Sequence, residues 1–271
     1  MRADLGARGM PIAGGTDVIV ELRAGPAQGT TFIDLTLIDE MKGIREVDGG
    51  IRVGALTTHE EAANSTLLLE RATALSEACS QVGSLQIRNR GTLGGNVANA
   101  APCADGLTAL VCLEARARLV SLAGGAREML VEDLIERPYR TAMTSEELIL
   151  DFFLPAPGEG ARSAFIKLGR RDALAISRIN AACLIEKDGD EVTRCRLAVG
   201  SVMPRTQRVR EAEEDVEGRR VGMETAFNAG EAVAGRMVEA SGVRWSTPYK
   251  EPAVRAIVKR AVLGAMGLKE G

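Results

Sequence analysis

Alternating apolar and polar positions predict three β-hairpins, because such alternation gives each strand one buried face and one solvated face. Each hairpin has a glycine-containing turn near its centre. The hairpins are expected at residues 43–56, 115–131 and 181–199, with turns at Asp48-Gly49-Gly50, Gly124-Gly125 and Asp188-Gly189.

Apolar residues spaced three and four apart predict four helices. These helices are expected at residues 60–69, 72–82, 222–240 and 252–266. Pro252 should lie in the first turn of the last helix, where its missing N–H group needs no partner. The charged stretch 205–220 predicts a solvated loop or helix face.

Residues 155–160 (Pro-Ala-Pro-Gly-Glu-Gly) interrupt this order, because they can continue neither a helix nor a central strand. We therefore predict an α+β protein with domains at residues 1–157 and 158–271. Residues 39–47 are expected to join two lobes of the first domain, at about 1–45 and 46–157. The second domain should combine a hairpin with helices.

Composition argues against several functions. The 271 residues are 45% hydrophobic and 26% charged, as in a globular protein. A net charge of −3 and only 3% aromatic residues do not suit nucleic-acid binding, which uses basic surfaces and stacking platforms. No apolar run approaches the ~20 residues of a membrane span, and the N-terminus lacks a signal-peptide pattern. A cytoplasmic protein is expected.

The cysteines and the single histidine offer no catalytic or metal-binding motif. The five cysteines include no Cys-x-x-Cys pair, so they predict neither a disulfide framework nor a metal site. We expect Cys79, Cys103, Cys112, Cys183 and Cys195 to be buried as small apolar side chains. His59 follows Thr57 and Thr58 at a predicted helix start, which favours a surface or capping role.

Two glycine-rich segments are the strongest candidates for a ligand site. The first glycine loop consists of Pro11, Ile12, Ala13, Gly14, Gly15, Thr16, Asp17 and Val18. Its paired glycines can expose backbone N–H groups to a pyrophosphate, and Thr16 or Asp17 can cap a following helix. The same pattern also occurs in ordinary strand-to-helix turns. No Rossmann or P-loop glycine motif occurs in the chain.

The second glycine loop lies within residues 86–105 and contains Thr92, Leu93, Gly94, Gly95 and Asn96. Small residues in such numbers suit a flat or extended ligand lying against the backbone. Thr92 and Asn96 can form side-chain hydrogen bonds to it, and Asp105 can accept one from a ribose hydroxyl. The composition equally suits a tightly packed loop beneath another segment, and the residues alone do not choose between the two.

Together the two loops resemble the paired flavin motifs of the FAD-binding subunits of molybdenum hydroxylases. The family includes xanthine dehydrogenase, nicotinate dehydrogenase and aerobic carbon monoxide dehydrogenase. The resemblance extends to residues 32–35, 54–59, 146–149, 165–167 and 200–208, and so covers nearly the whole chain. It implies a two-lobed, vanillyl-alcohol-oxidase-like FAD-binding domain, followed by a domain with a three-stranded antiparallel sheet and helices.

The resemblance also implies site residues. The first glycine loop would hold the FAD pyrophosphate through its backbone. The second would lie against the dinucleotide, with Gly83 before it and Asp105 beyond it. Ile149 and Lys167 match positions near the isoalloxazine ring, where positive charge stabilises the reduced form. FAD would be bound without a covalent link, and no residue of the chain itself would be catalytic.

The implied function is electron transfer within a complex, in the form of a dimer of heterotrimers. A large partner subunit would carry the molybdenum cofactor. A small one would carry two [2Fe–2S] clusters and pass electrons through FAD to NAD, oxygen or a quinone. The Gly-Gly-Thr-Asp motif slightly favours an N-heterocycle or an aldehyde as the substrate of the complex.

Two other interpretations stay open at the level of sequence. One is a self-sufficient flavin oxidase, although the chain has no room for that class's large substrate domain. The other is a scaffold that has kept the fold and lost the flavin. Residues 1–10 are shorter than the strand and helix that usually precede the first glycine loop, so weaker FAD retention is expected.

Overall fold

The computed structural model describes residues 9–25, 29–171 and 174–268. Most of residues 1–10 therefore lie outside the described part of the chain. In the first lobe, strands β1 and β2 pair in parallel and flank helix α1. These elements span Gly9–Ile12 (β1), Val18–Ala24 (α1) and Thr31–Asp34 (β2).

The second lobe packs short helices against a five-stranded antiparallel sheet of order β3-β4-β9-β5-β6. Its strands are Ile44–Val47 (β3), Gly50–Gly54 (β4), Arg116–Ser121 (β5), Gly125–Leu130 (β6) and Leu148–Pro155 (β9). Its helices are His59–Ala63 (α2), Thr66–Arg71 (α3), Thr73–Ser80 (α4), Leu85–Arg88 (α5), Leu93–Asn99 (α6), Asp105–Cys112 (α7) and Val131–Leu134 (α8). A small hairpin, Ile135–Arg137 (β7) and Arg140–Thr141 (β8), precedes β9.

The C-terminal part consists of an antiparallel sheet of order β10-β11-β12-β13 and three helices. The expected three-stranded sheet is confirmed, with a two-residue strand added at its edge. These elements are Arg162–Leu168 (β10), Ile179–Asp188 (β11), Glu191–Gly200 (β12), Gln207–Arg208 (β13), Arg210–Val216 (α9), Met223–Ser241 (α10) and Thr247–Met266 (α11). No helix in the described ranges is long and apolar enough to cross a bilayer.

Both faces of this C-terminal sheet are buried. Ala182 and Leu184 join the core of the second lobe. Ala181, Cys183 and Ile185 join a second core with α10 and α11. Successive strand residues point to opposite faces, so the continuous apolar run in β11 serves two cores. The sheet therefore joins the two parts of the chain, and the boundary at 157/158 stays a prediction.

All three predicted hairpins are present, as β3–β4, β5–β6 and β11–β12. The predicted helix at 60–69 is instead two helices, because Asn64 ends α2 and Ser65 caps α3 by accepting a hydrogen bond from Leu68 N–H. The expectation for Pro252 is wrong, since α11 begins at Thr247 with Pro248 in its first turn and Pro252 lies inside the helix.

The charged stretch 205–220 is only partly solvated, contrary to the prediction. Arg208 contacts Glu114 of the second lobe and forms a 2.7 Å ion pair with Glu213. Arg196 adds a 2.7 Å contact to Glu114. Glu213 also accepts a hydrogen bond from Leu197 N–H. This ionic cluster binds the second lobe to the C-terminal sheet.

We expect the substitution Arg208→Met to lower the free energy of unfolding by about 3 kcal/mol, because it leaves the buried Glu213 carboxylate without its ion-pair partner and removes one of the cations that contact Glu114. Urea unfolding at pH 7 measures the effect. Arg220→Met is the matched control, because Arg220 pairs with Asp190 at an exposed site and should contribute no more than about 1 kcal/mol. Equal losses in the two variants would contradict a special role for the cluster.

Candidate functional site

One large cavity, of about 1090 Å³, lies between the two lobes and the C-terminal sheet. Its volume exceeds the range of roughly 300–1,000 Å³ that drug-sized ligands occupy, so it suits a longer molecule such as a dinucleotide. Both glycine loops line it, as do residues near the end of the second lobe and the start of the C-terminal part. All of the site residues expected from the sequence line the cavity except Leu93, which is fully buried in the core.

The first glycine loop presents backbone donors to this cavity. The N–H groups of residues 14–17 donate to no other described residue. Gly15 has φ +71, a left-handed conformation that glycine adopts at little cost. Asp17 occupies the N-cap position of α1, yet its side chain caps nothing. The expected cap is therefore missing, while the expected row of free amides is present.

Gly14 brings the two glycine loops into direct contact. A Cβ atom at this position would lie 1.8 Å from the carbonyl oxygen of Arg90. Such a distance is far inside any van der Waals contact, so only glycine permits this approach of backbone to backbone.

The second glycine loop differs from the first in that its amides are already used. Leu93 and Gly94 donate to the carbonyls of Thr57 and Ala55, and Gly95 donates to the Thr92 hydroxyl, which caps α6. The Asn96 side-chain oxygen accepts from Leu107 N–H at 3.0 Å. This loop is therefore a rigid wall, with little backbone donor capacity left for a ligand.

Asp105 and Lys167 form a buried ion pair in the cavity wall, with 2.6 Å between the Lys167 Nζ and Asp105 Oδ2 atoms. Lys167 also donates to the carbonyl of Gln81 at 2.8 Å. The other Asp105 oxygen accepts from Ser177 Oγ at 2.5 Å and from Asn180 Nδ2 at 2.7 Å. Protein donors thus occupy both carboxylate oxygens, where the sequence suggested a ribose hydroxyl.

His59 lies in the cavity wall and is 2% exposed, so the expected surface or capping role is wrong. Thr58 is the capping residue, with Glu61 completing a capping box. The His59 Nδ1 atom lies 3.5 Å from Cys79 Sγ. Burial, and then the charge of Arg88, lowers the pKa of His59 to about 4, so the ring is neutral at pH 7.

Two further parts of the cavity wall were missed from the sequence. They are residues 139–145 with Leu148, and residues 174–177. Tyr139 stands out with φ +60 and a side chain that is 67% exposed. Neither segment contains a glycine motif, so no local pattern marked them. Cys103 also lines the cavity and is only partly buried, unlike the other cysteines.

Residues 2–157 match the family described as the FAD binding domain in molybdopterin dehydrogenase. Residues 163–265 match the family described as the CO dehydrogenase flavoprotein C-terminal domain. Together the two matches extend over nearly the whole chain.

Individual relatives agree with these matches. The chain is 30% identical to the nicotinate dehydrogenase FAD-subunit of Eubacterium barkeri, over 96% of this chain and 89% of the relative. It is 28% identical to the xanthine dehydrogenase FAD-binding subunit of Escherichia coli O157:H7, over 96% of this chain and 89% of that relative. Its fold superposes on a carbon monoxide dehydrogenase structure from Hydrogenophaga pseudoflava with a TM-score of 0.90 and 26% identity, covering 98% of this chain and 92% of that one.

The neutral, buried His59 predicts a pH dependence of stability. Its pKa falls from 6.5 to about 4 on folding. Between these two pH values, His59 therefore binds a proton in the unfolded chain and stays neutral in the folded chain. The stability gained from neutral His59 is complete above pH 6.5. As the pH falls from 6.5 towards 4, the free energy of unfolding should decrease by about 1.4 kcal/mol per pH unit.

Urea unfolding of the wild type and of His59→Gln between pH 5 and pH 7 isolates this contribution, because all carboxyl groups are common to both proteins. The wild type should lose more stability than the variant as the pH falls. Parallel stability profiles would show that His59 does not titrate in this way.

Proposed function

The chain belongs to the family of FAD-binding subunits of molybdopterin dehydrogenases, and from this premise we propose how it holds FAD and what it does in its complex. It is an oxidoreductase subunit that takes FAD as its cofactor. The observation that carries the proposal is a row of amides at residues 14–17 that donate to none of the described residues and lie beside a cavity of dinucleotide size.

The first glycine loop, Pro11 to Val18, holds the FAD pyrophosphate through these amides, which suit an anion. The second loop, Thr92 to Asn96, fixes the position of the first through the contact at Gly14. Gly83, which has φ +47 and lines the cavity, lets the chain turn beside the cofactor. Ile149 supplies apolar wall surface.

Lys167 provides positive charge in the wall, and Asp105 positions it. Lys167 lacks free rotation because its ammonium group is held by Asp105 and by the Gln81 carbonyl. Asp105 is fixed in turn by Ser177 and Asn180. A fixed cation beside a flavin favours the reduced, anionic ring.

FAD, when bound, supplies the redox chemistry through which electrons from the [2Fe–2S] clusters of a small partner subunit reach an external acceptor. A large partner subunit carries the molybdenum cofactor and the substrate site, and the complex is a dimer of heterotrimers in the cytoplasm. Relatives named as subunits or medium chains of dehydrogenases support this assignment.

An absorption spectrum of the purified full chain, before and after FAD is added, tests the proposal. Flavin should stay with the protein through desalting and be released into the supernatant by acid, because no covalent link holds it. Reduction of the bound flavin by the small subunit then separates the electron-transfer subunit from a self-sufficient oxidase. Failure to bind FAD at all would favour the flavin-less scaffold.

The substitution Gly14→Ala should weaken FAD binding by at least about ten-fold, because its Cβ atom would push the first loop away from Arg90. Gly235→Ala is the matched control, since its Cβ meets no atom within 4 Å. Fluorescence titration with FAD measures both affinities. Unchanged binding by a folded Gly14→Ala variant would contradict the role of this contact.

Replacing Lys167 with methionine should lower the midpoint potential of bound FAD by roughly 30 mV, which corresponds to about 1.4 kcal/mol for two electrons. The reason is that the anionic reduced ring loses a fixed cation. Lys167→Arg should keep most of the potential. Lys187→Met, at an exposed position on β11, controls for the change in net charge. Equal shifts of the midpoint potential in Lys167→Met and Lys187→Met would contradict the assignment of Lys167.

A further inference from the structure

A group of exposed apolar side chains lies beside the rim of the cavity, together with one exposed and two half-buried basic side chains. We call it the rim surface, and it consists of Arg178, Val243, Arg244, Trp245, Tyr249 and Lys250. Hydrogen bonds connect it to the cavity wall: Lys250 donates to the Ser201 carbonyl at 2.7 Å, and the Ser201 hydroxyl donates to the carbonyl of Ser177, which lines the cavity.

Two apolar side chains of the rim surface are almost fully exposed. Trp245, the single tryptophan of the chain, is 93% exposed, and Val243 is 81% exposed. Tyr249 is 48% exposed and lies under the guanidinium of Arg178, 5.7 Å from ring centroid to Cζ. Val243 and Trp245 are two residues apart in the chain, and such closely spaced exposed apolar side chains are available to a partner.

The basic part of the rim surface has no acidic counterpart among the residues that the structure describes. No carboxylate of the described residues lies within ion-pair distance of Arg178, Arg244 or Lys250. Burial, and then the positive charges of Arg244 and Arg178, lowers the pKa of Lys250. The three cations therefore repel one another, and an acidic partner would relieve that repulsion.

The shape of the surface favours a macromolecule over a small ligand. Small molecules bind in concave sites that enclose most of their surface, whereas Trp245 and Val243 are almost fully solvated. Tryptophan, tyrosine and arginine are also the residues that contribute most to protein interfaces.

From these observations we propose that the rim surface docks the iron–sulfur subunit of the complex, with Trp245 as the apolar anchor and Arg178, Arg244 and Lys250 facing acidic groups of that subunit. The proposal rests on the electron-transfer function proposed above. Electrons must enter close to the flavin, and the rim surface is linked to the cavity wall through Ser201 and Ser177. A [2Fe–2S] centre held by thiolates carries negative charge that suits these cations.

A second copy of this chain fits the surface less well. A two-fold symmetric contact places the same patch on both sides, so two sets of unpaired cations would face each other. Their repulsion would oppose such a dimer.

The test measures binding of the full, FAD-loaded chain to the purified small subunit of its own complex, with its clusters in place. Trp245→Ala and Arg244→Glu should each weaken binding by at least about ten-fold. Leu122→Ala and Arg116→Glu are the matched controls, because both residues are exposed and belong to the five-stranded sheet or its β5–β6 turn. The controls should stay within about two-fold of the wild type.

Two further readouts separate docking from misfolding. Flavin content should be unchanged in every variant. Flavin reduction by the reduced small subunit should be slower in Trp245→Ala and Arg244→Glu at low subunit concentration and should recover near saturation. Added salt should weaken the wild-type complex more than the Arg244→Glu complex, since the lost charge no longer contributes.

Photo-crosslinking from p-benzoylphenylalanine at position 245 identifies the occupant. A crosslink to the small subunit supports the proposal, and a crosslink to the molybdenum subunit or to a second copy of this chain overturns it. Suppose that the wild type binds the small subunit and its flavin is reduced, and that both variants bind and are reduced equally well. The proposed role of the rim surface is then refuted, while the proposed function stands. If the wild type neither binds the small subunit nor is reduced by it, both proposals fall.

Discussion

The buried carboxylate of Asp105 is the contact on which the arrangement of the cavity depends. It begins α7 in the second lobe and is bound by Lys167 of β10, Ser177 of the cavity wall and Asn180 of β11. A carboxylate that is 4% exposed is tolerated only when donors surround it. The network therefore fixes the C-terminal sheet against the second lobe and sets the position of the cation in the wall.

The two glycine loops differ in how they use their backbone amides. The first keeps its amides free, and the second uses its own amides to build a rigid helix start. Their contact at Gly14 transfers that rigidity to the free amides. Such preorganisation would favour the proposed pyrophosphate site, because less freedom is lost when the ligand binds.

The C-terminal sheet links these features to the rest of the molecule. Alternate residues of β11 enter two different hydrophobic cores, and the ionic cluster around Arg208 crosses the same junction. The cavity wall and the rim surface therefore belong to one continuous framework, in which Ser201 connects cavity residue Ser177 with Lys250 of α11.

The sequence by itself determined the hairpins and the two glycine loops, whose residues line part of the cavity. These features depend on local backbone chemistry: turn glycines, strand alternation and amides exposed by paired glycines. The family resemblance added Ile149 and Lys167, which no local pattern marks. Local patterns also misled at His59, where Thr58 is the capping residue and the His59 side chain is buried in the cavity wall beside Cys79.

Only the tertiary structure decided the burial of His59, the partners of Asp105, the buried part of the charged stretch 205–220, and the cavity wall at 139–145 with Leu148 and at 174–177. Each of these is set by contacts between residues far apart in the chain. Arg208 shows the reason most clearly: its charge predicts solvent exposure, and only the carboxylates of Glu114 and Glu213, brought beside it by folding, make burial favourable.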